Sequence, residues 1–273
     1  MDPRKTGDLG PRFDWMSATV RDDVDEITNT LATALDGEIS DARGLNGYRA
    51  SRIIKRDDET LARVLFGGSP GGNPHMIASG ATTDEVVPVL RAAWAGAHEV
   101  TRMDTAQDFD QEGGYEALRA VLLRLAESNG ITTTSMESTR NGVTSRTTYL
   151  GAPSSRVRVR LYEKGRYEHQ LGHADESEHW CRLEAQLRPT GKPARQRAAE
   201  LDALAAWGLS RWTRDLAREA MGVDVEPVTM QLRREPDYMR ALRSLQRQYG
   251  ATLQRALEVE GSWDGVGRLI GVI

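Results

Sequence analysis

Three short stretches of the chain sort their polar residues in a way that could assemble a reactive site. In RVRVRLYEK, Arg156, Arg158, Arg160, Tyr162 and Lys164 alternate with Val157, Val159 and Leu161. Side chains of a β-strand point alternately to its two faces, so a strand over 156–164 would carry one apolar face and one cationic face bearing a phenol. In WCRLEAQLR, Arg182, Glu184, Gln186 and Arg188 oppose Cys181, Leu183, Ala185 and Leu187. In RMDTAQDFD, Arg102, Asp104, Ala106, Asp108 and Asp110 fall on one side. If these strands are neighbours, carboxylates, arginines and one tyrosine converge.

Such a set suits phosphoryl transfer. Paired carboxylates hold a hard divalent cation through oxygen, which polarises a phosphate and favours ionisation of a bound nucleophile. Arginines clamp the non-bridging oxygens in pairs. A tyrosine, with a usual pKa of about 10, is a poor nucleophile until cations favour its phenolate. Each residue also has a plainer reading. Arg182 and Glu184 form a common surface pair, a strand tyrosine commonly packs, and Asp108 and Asp110 can cap a turn. The residues alone reach no further than a phosphodiester enzyme.

The elements that must position them follow from periodicity. FDWMSATV (13–20) reads as a strand after a disordered lead of residues 1–12. RDDVDEITNTLATAL (21–35) is a helix with Val24, Ile27, Leu31 and Leu35 on one stripe and acids in its first turn. Strands at 46–54, 60–67 and 75–80 and a helix at 84–98 complete a first half. The order then begins again: a strand at 99–109, a helix at 114–130, a hairpin around Asn141-Gly142, and strands at 156–164 and 179–188. Helices at about 193–219 and 235–260 close the chain. The expected fold is α+β: two related strand-helix-strands units (13–98 and 99–190) with antiparallel sheets able to join into one, plus C-terminal helices. The nicking domain would span 13–220 and a helical extension 221–273.

Composition limits the partners. No apolar run approaches the roughly 20 residues of a membrane helix, and MDPRKTGDLGPRFDW has no apolar signal core. The expected setting is the bacterial cytoplasm, with no membrane. Cys181 is the single cysteine, so no internal disulfide forms. Net charge is −4, but the first 130 residues hold 22 acidic against 14 basic residues and the remainder 18 against 22. The positive surface therefore belongs to the second half. Within LRREPDYMRALRSLQRQYGATLQR (232–255), Arg240, Arg243 and Arg247 fall on one helix face. That face is a candidate for DNA binding, with Arg156 and Arg158; the alternative is a solvated helix packed through Met239, Leu242 and Leu245. No G-x-x-x-x-G-K-[ST] run occurs, and GGSPGGNPH (67–75), without a lysine, reads as a loop. His169, His173 and His179 lack the His-apolar-His spacing of the HUH relaxases and read as loop residues.

TTYLGAPSSRVRVRLYEKG (147–165) followed by HWCRLEAQLRP (179–189) resembles the core signature of the Rep_trans family, the staphylococcal-type rolling-circle plasmid and phage replication initiators, which are related to MobT relaxases. The match falls on Thr148, Tyr149, Gly151, Ser155, Arg160, Tyr162, Lys164, Trp180, Arg182, Glu184 and Leu187. Arg102, Asp104 and Asp108 match the family's "R-I-D" strand and its second Asp. The resemblance covers about residues 13–215. It implies that Tyr162 is the nucleophile, with Tyr149 structural and Tyr167 in a loop. It implies a metal site (Mg2+ or Mn2+) on Asp104 and Glu184, with Asp108, and Glu168 as a weaker candidate. Arg160, Arg182 and Lys164 would assist the reaction. The implied partners are double-stranded origin DNA, the nicked single strand and a host superfamily-1 helicase, with room for a homodimer. The implied activity is nicking through a 5′-phosphotyrosyl intermediate that leaves a 3′-hydroxyl primer. A MobT-type relaxase would use the same chemistry; the short lead before the first strand favours the initiator. A catalytically inactive DNA-binding regulator on the same scaffold is the remaining alternative, and retention of Tyr162, Asp104 and Glu184 counts against it.

Overall fold

The computed structural model describes residues 10–68, 72–229 and 237–271. Two compact units divide it, residues 1–230 and 231–273. The first is built on one antiparallel sheet of ten strands: β1 (Arg12–Val20), β2 (Glu38–Arg43), β3 (Tyr48–Arg56), β4 (Glu59–Gly68), β5 (His75–Ser79), β6 (His98–Asp110), β7 (Thr133–Arg140), β8 (Val143–Leu150), β9 (Val157–Tyr162) and β10 (Trp180–Leu187). Their order across the sheet is β2-β3-β4-β5-β1-β6-β10-β9-β8-β7. Each half runs its first strand, a helix and four more strands, and places its first strand innermost. The two halves therefore meet at β1 and β6, which pair antiparallel. The fold is α+β, and the sheet carries β2, which the sequence pattern left within a connection.

Helices cover one face of this sheet. α1 (Val24–Leu35) starts where the Asp23 carboxylate accepts from the Asp25 amide at 2.8 Å, satisfying one of the orphan donors of a helix N-terminus. Its stripe of Ile27, Leu31 and Leu35 is buried with Val86, Val87 and Leu90 of α2 (Thr83–Ala93) against Met16, Ala18 and Val20 of β1. α3 (Gly114–Asn129) does the same for the second half. Leu118, Leu122 and Leu125 pack on Val159 and Leu161 of β9 and on Cys181, Leu183 and Ala185 of β10. Truncating a fully buried leucine here, Leu122→Ala for instance, would cost about 2–5 kcal/mol. The apolar faces expected for β9 and β10 are thus the core faces, and their polar faces look the other way. β7 and β8 turn through Asn141 (φ 51°) and Gly142 (φ 76°), the left-handed pair a two-residue hairpin needs.

After β10 the chain is not one long helix. It breaks into α5 (Lys192–Ala198), a 3-10 turn (Ala205–Leu209), α6 (Arg211–Leu216) and a π turn (Ala217–Met221). Trp207 in the 3-10 turn is wholly buried in the second core cluster, which explains why the helical pattern is interrupted. The second unit contains α7 (Asp237–Glu260) and α8 (Trp263–Leu269). The side chains of Arg240, Arg243 and Arg247 on α7 lie outside the described residues, as do residues 1–9. Among the described residues no helix is long and apolar enough to cross a membrane.

Candidate active site

The register of the central strands sets three rows of side chains across the face opposite α1 and α3. Asp108, Arg182 and Tyr162 form one, on β6, β10 and β9. Ala106, Glu184 and Arg160 form the next, and Asp104, Gln186 and Arg158 the third. β8 continues the pattern, with Thr147 beside Tyr162 and Tyr149 beside Arg160. The convergence expected from alternation is therefore present on neighbouring strands.

The charges are buried and paired. Asp104, Asp108 and Glu184 are each 1% exposed and Arg182 7%, so each needs a partner to offset the cost of leaving water. Arg182 donates through Nε and Nη2 to the two oxygens of Asp108 (2.7 and 3.1 Å) and through Nη1 to Asp14 (2.7 Å). Arg12 also pairs with Asp108. Arg160 donates to Glu184 through Nε (2.8 Å) and Nη2 (2.6 Å). Arg102 grips Asp104 (2.9 and 3.1 Å), and Gln186 donates to the same carboxylate at 3.2 Å. Burial would raise the Asp108 carboxyl, but the hydrogen bonds and charge of Arg182, with those of Arg12, hold it below the usual range. Glu184 goes the opposite way. Burial pushes it up, Arg160 opposes, and the negative charges of Asp14 and Asp104 add to the rise, to about 8.

Tyr162 lies half-buried in a cleft of about 390 Å³ whose walls include Asp14, Tyr149, Arg160, Lys164, Tyr167 and Arg182. The Arg160 guanidinium sits 4.8 Å from the centre of its ring. Burial raises the phenol's pKa, Arg182 and Arg160 pull it down, and Glu184 and Asp14 oppose them. The net direction is upward, so the resting phenol is protonated.

Lys164, Tyr167, His169 and Arg156 depart from their expected placements. β9 ends at Tyr162, so Lys164 is not on the same strand face: it opens α4 (Lys164–Leu171). Glu163 forces the turn, because its buried carboxylate accepts from the Arg146 amide (2.8 Å), Nε (3.0 Å) and Nη2 (2.7 Å). Gly165 permits the turn: a Cβ there would stand 1.7 Å from the Ser177 carbonyl oxygen. Lys164 still lines the cleft, tied to Glu168, which also bonds His173 at 2.7 Å. Tyr167 belongs to α4 rather than to a loop. At the other end, Arg156 is exposed and precedes β9, whereas Arg158 lies on the polar face with its guanidinium 3.9 Å from the Tyr149 ring centre.

Asp14 is the residue the pattern missed. A register shift between Phe13 and Trp15 leaves Asp14 as a bulge in β1 opposite β6. Strict alternation groups it with Met16 and Ala18, which are core; the bulge turns it to the polar face instead. Its one signal in the sequence is a carboxylate inside an otherwise apolar and aromatic strand.

The donor set fits a hard divalent cation in kind: Asp104 and Glu184 supply only oxygen, and burial, more than the nearby Asp14 and Asp104, is what raises the Glu184 carboxyl. Among the described residues no three His, Cys, Asp or Glu stand together closely enough to hold an ion, because each acid is drawn to an arginine. His169 lies in α4 rather than in a loop, and its Nε2 bonds the Glu176 carbonyl (2.6 Å).

No protein-family model matches the sequence, and no curated protein does. Among solved structures, the chain is similar to the rolling circle replication initiator protein from Geobacillus stearothermophilus, with a TM-score of 0.51 and 21% identity, over 84% of this chain and 90% of that one. At that identity the likeness is one of fold.

Proposed function

We propose that this protein is a rolling-circle replication initiator that nicks one strand of origin DNA. The observation that carries the reading is the row Asp108–Arg182–Tyr162, which sets a phenol beside a fixed guanidinium on the floor of a polar cleft. The fold likeness to an initiator supports it. Tyr162 attacks a phosphodiester, the phenolic proton leaves, the bond to the 3′ oxygen breaks, and the 5′-phosphate stays on the tyrosine. Arg182 and Arg160 stabilise charge on the non-bridging oxygens of the phosphate. Lys164, in the same cleft, is placed to favour the phenolate or to protonate the departing oxygen. The ester conserves the bond energy, so the free 3′-hydroxyl can prime synthesis and the strand can be rejoined later.

Asp104 and Glu184 would hold Mg2+ or Mn2+, with Asp108 the lesser candidate because two arginines, Arg182 and Arg12, hold it where one each holds Asp104 and Glu184. When bound, the ion would supply Lewis-acid stabilisation of the phosphate. Arg158, in the pocket adjoining the cleft, and the exposed Arg156 before β9 are proposed as contacts to the strand, and Arg240, Arg243 and Arg247 of α7 to contact the duplex. A superfamily-1 helicase and a second copy of the chain remain proposed partners, and the bacterial cytoplasm the proposed compartment. A conjugative relaxase would perform the same cut. The deciding experiment is nicking of supercoiled DNA followed by peptide mapping of the trapped adduct. An adduct on Tyr149 or Tyr167, or a nick without an adduct, overturns the assignment.

A further inference from the structure

α4 places two groups of opposite charge one turn apart. Lys164 opens the helix and Glu168 follows four residues later, so both stand on one side of it. They are ion-paired, and the pair is largely buried, with side chains 17% and 13% exposed. Glu168 is held from its other side as well. Gly172 ends α4 at a φ of 100°, a conformation that glycine adopts at little cost. The chain therefore turns back. The His173 amide donates to the Glu168 carbonyl at 3.0 Å, and the His173 ring bonds the second carboxylate oxygen at 2.7 Å. Burial would raise the Glu168 carboxyl, but the hydrogen bonds from Lys164 and His173 hold it below the usual range.

The lysine's own surroundings complete the arrangement. Lys164 lines the cleft that holds Tyr162. Its Nζ sits 5.5 Å from the centre of the Trp180 ring and 5.4 Å from that of Tyr167, close enough for the rings to attract a cation. A lysine ordinarily carries its ammonium on a flexible four-carbon stem. Here a carboxylate and two rings set where the ammonium stands. An exposed i,i+4 pair would be solvated, screened by salt and free to part. This one is shielded, and its carboxylate is fixed from behind by His173.

We infer that Glu168 is a positioning residue for the nicking reaction, holding the Lys164 ammonium in the cleft wall where negative charge develops when Tyr162 attacks. The inference rests on the nicking reading for the origin of that charge. It also gives Glu168 a task other than metal binding, since its two oxygens are spent on Lys164 and His173.

Glu168→Gln is the test, because the amide keeps the length of the side chain and removes its charge. Nicking of supercoiled DNA is followed against DNA concentration, well below the melting temperature of each protein. The rate at saturating DNA should fall by about 10- to 100-fold, the scale of a reacting group misplaced by about 1 Å. The half-saturating DNA concentration should barely move. A residue that acts through Lys164 has nothing left to do once the ammonium is gone, so Glu168→Gln added to Lys164→Met should slow the reaction no further. A second readout needs no cutting. The chain has four lysines, so in protein labelled with carbon-13 lysine the Lys164 signal is identified by its loss in Lys164→Met. Its ε-methylene should be displaced by the ring currents of Trp180 and Tyr167, and in Glu168→Gln it should move towards the position of an exposed lysine. A signal unmoved by Glu168→Gln, an unchanged nicking rate, or equal slowing on both backgrounds overturns the inference. So does recovery of the Glu168→Gln rate in excess Mn2+, which would make Glu168 a metal ligand. If Lys164→Met leaves no measurable rate, the lysine signal carries the decision. A Glu168-dependent signal in a chain that cuts no DNA fails the nicking reading and leaves the hold on Lys164 standing.

Discussion

Arg182 and Tyr162 are register partners across β10 and β9, side by side on the same face of the sheet. Three hydrogen bonds to Asp108 and Asp14 fix the guanidinium there, so its charge is already oriented before a phosphate arrives. The same partnership pulls the phenol's pKa down against the larger effect of burial. The net direction stays upward, so Arg182 lessens the cost of ionising the phenol without removing it.

Tyr162→Phe removes one oxygen and little packing. Nicking and joining should vanish, while the melting temperature and DNA affinity stay close to those of the unaltered protein. Gel assays on supercoiled plasmid, beside a thermal melt, read both at once. Residual nicking at the wild-type rate would show that another group attacks.

Chelation should separate binding from cutting. Excess EDTA, Asp104→Asn and Glu184→Gln should each abolish nicking and leave the protein folded, because Asn and Gln keep the shape of the side chain. Full activity in EDTA would remove the metal from the proposal.

Breaking the Arg182–Asp108 pair should be costly for stability. Both side chains are buried, so Arg182→Ala strands a carboxylate without its main partner, at about 3–5 kcal/mol by comparison with other broken buried pairs. The sign with pH follows from Asp108. Its carboxyl is held below the usual range in the folded protein, so the unfolded chain takes up a proton first as pH falls. The stabilisation is full above the ordinary Asp pKa of about 4 and is lost as pH falls through the lower folded value. Urea titrations between neutral pH and pH 3 should show that slope shrink in Asp108→Asn.

His98 should add a second acid sensitivity at higher pH. Burial lowers its pKa, the hydrogen bond to the Trp94 carbonyl at 2.7 Å opposes this, and Arg91 adds to the lowering. The unfolded state binds a proton that the folded state refuses, so stability falls as pH drops below about 6.5. His98→Gln should flatten the urea midpoint between pH 7 and 5.5; an unchanged slope would place that sensitivity elsewhere.

Replacing Arg240, Arg243 and Arg247 together tests the C-terminal unit. If the three contact phosphates, DNA affinity should fall and the slope of log affinity against log salt should flatten by about 2–3 units. Loss of affinity with an unchanged slope would assign α7 a different role.

Periodicity made much of this protein legible. The alternation of RVRVRLY and WCRLEAQL identified two strands and both of their faces, because a half-buried strand must bury every second residue whatever its neighbours are. The same logic located Asp104 and Asp108 on β6, and helical spacing located α1, α2 and α3. Local patterns could not show where regularity stops. Lys164 left its strand because Glu163 is captured by Arg146, seventeen residues earlier. Asp14 joined the site because a bulge in β1 turned it away from the core side of its strand. The partners of the acids were equally out of reach, since Arg182 spans 168 residues to reach Asp14. Strand order decided those contacts: only when β6, β10 and β9 lie side by side do three residues distant in sequence form one row, and cross-strand distance depends on register, which no single strand encodes alone.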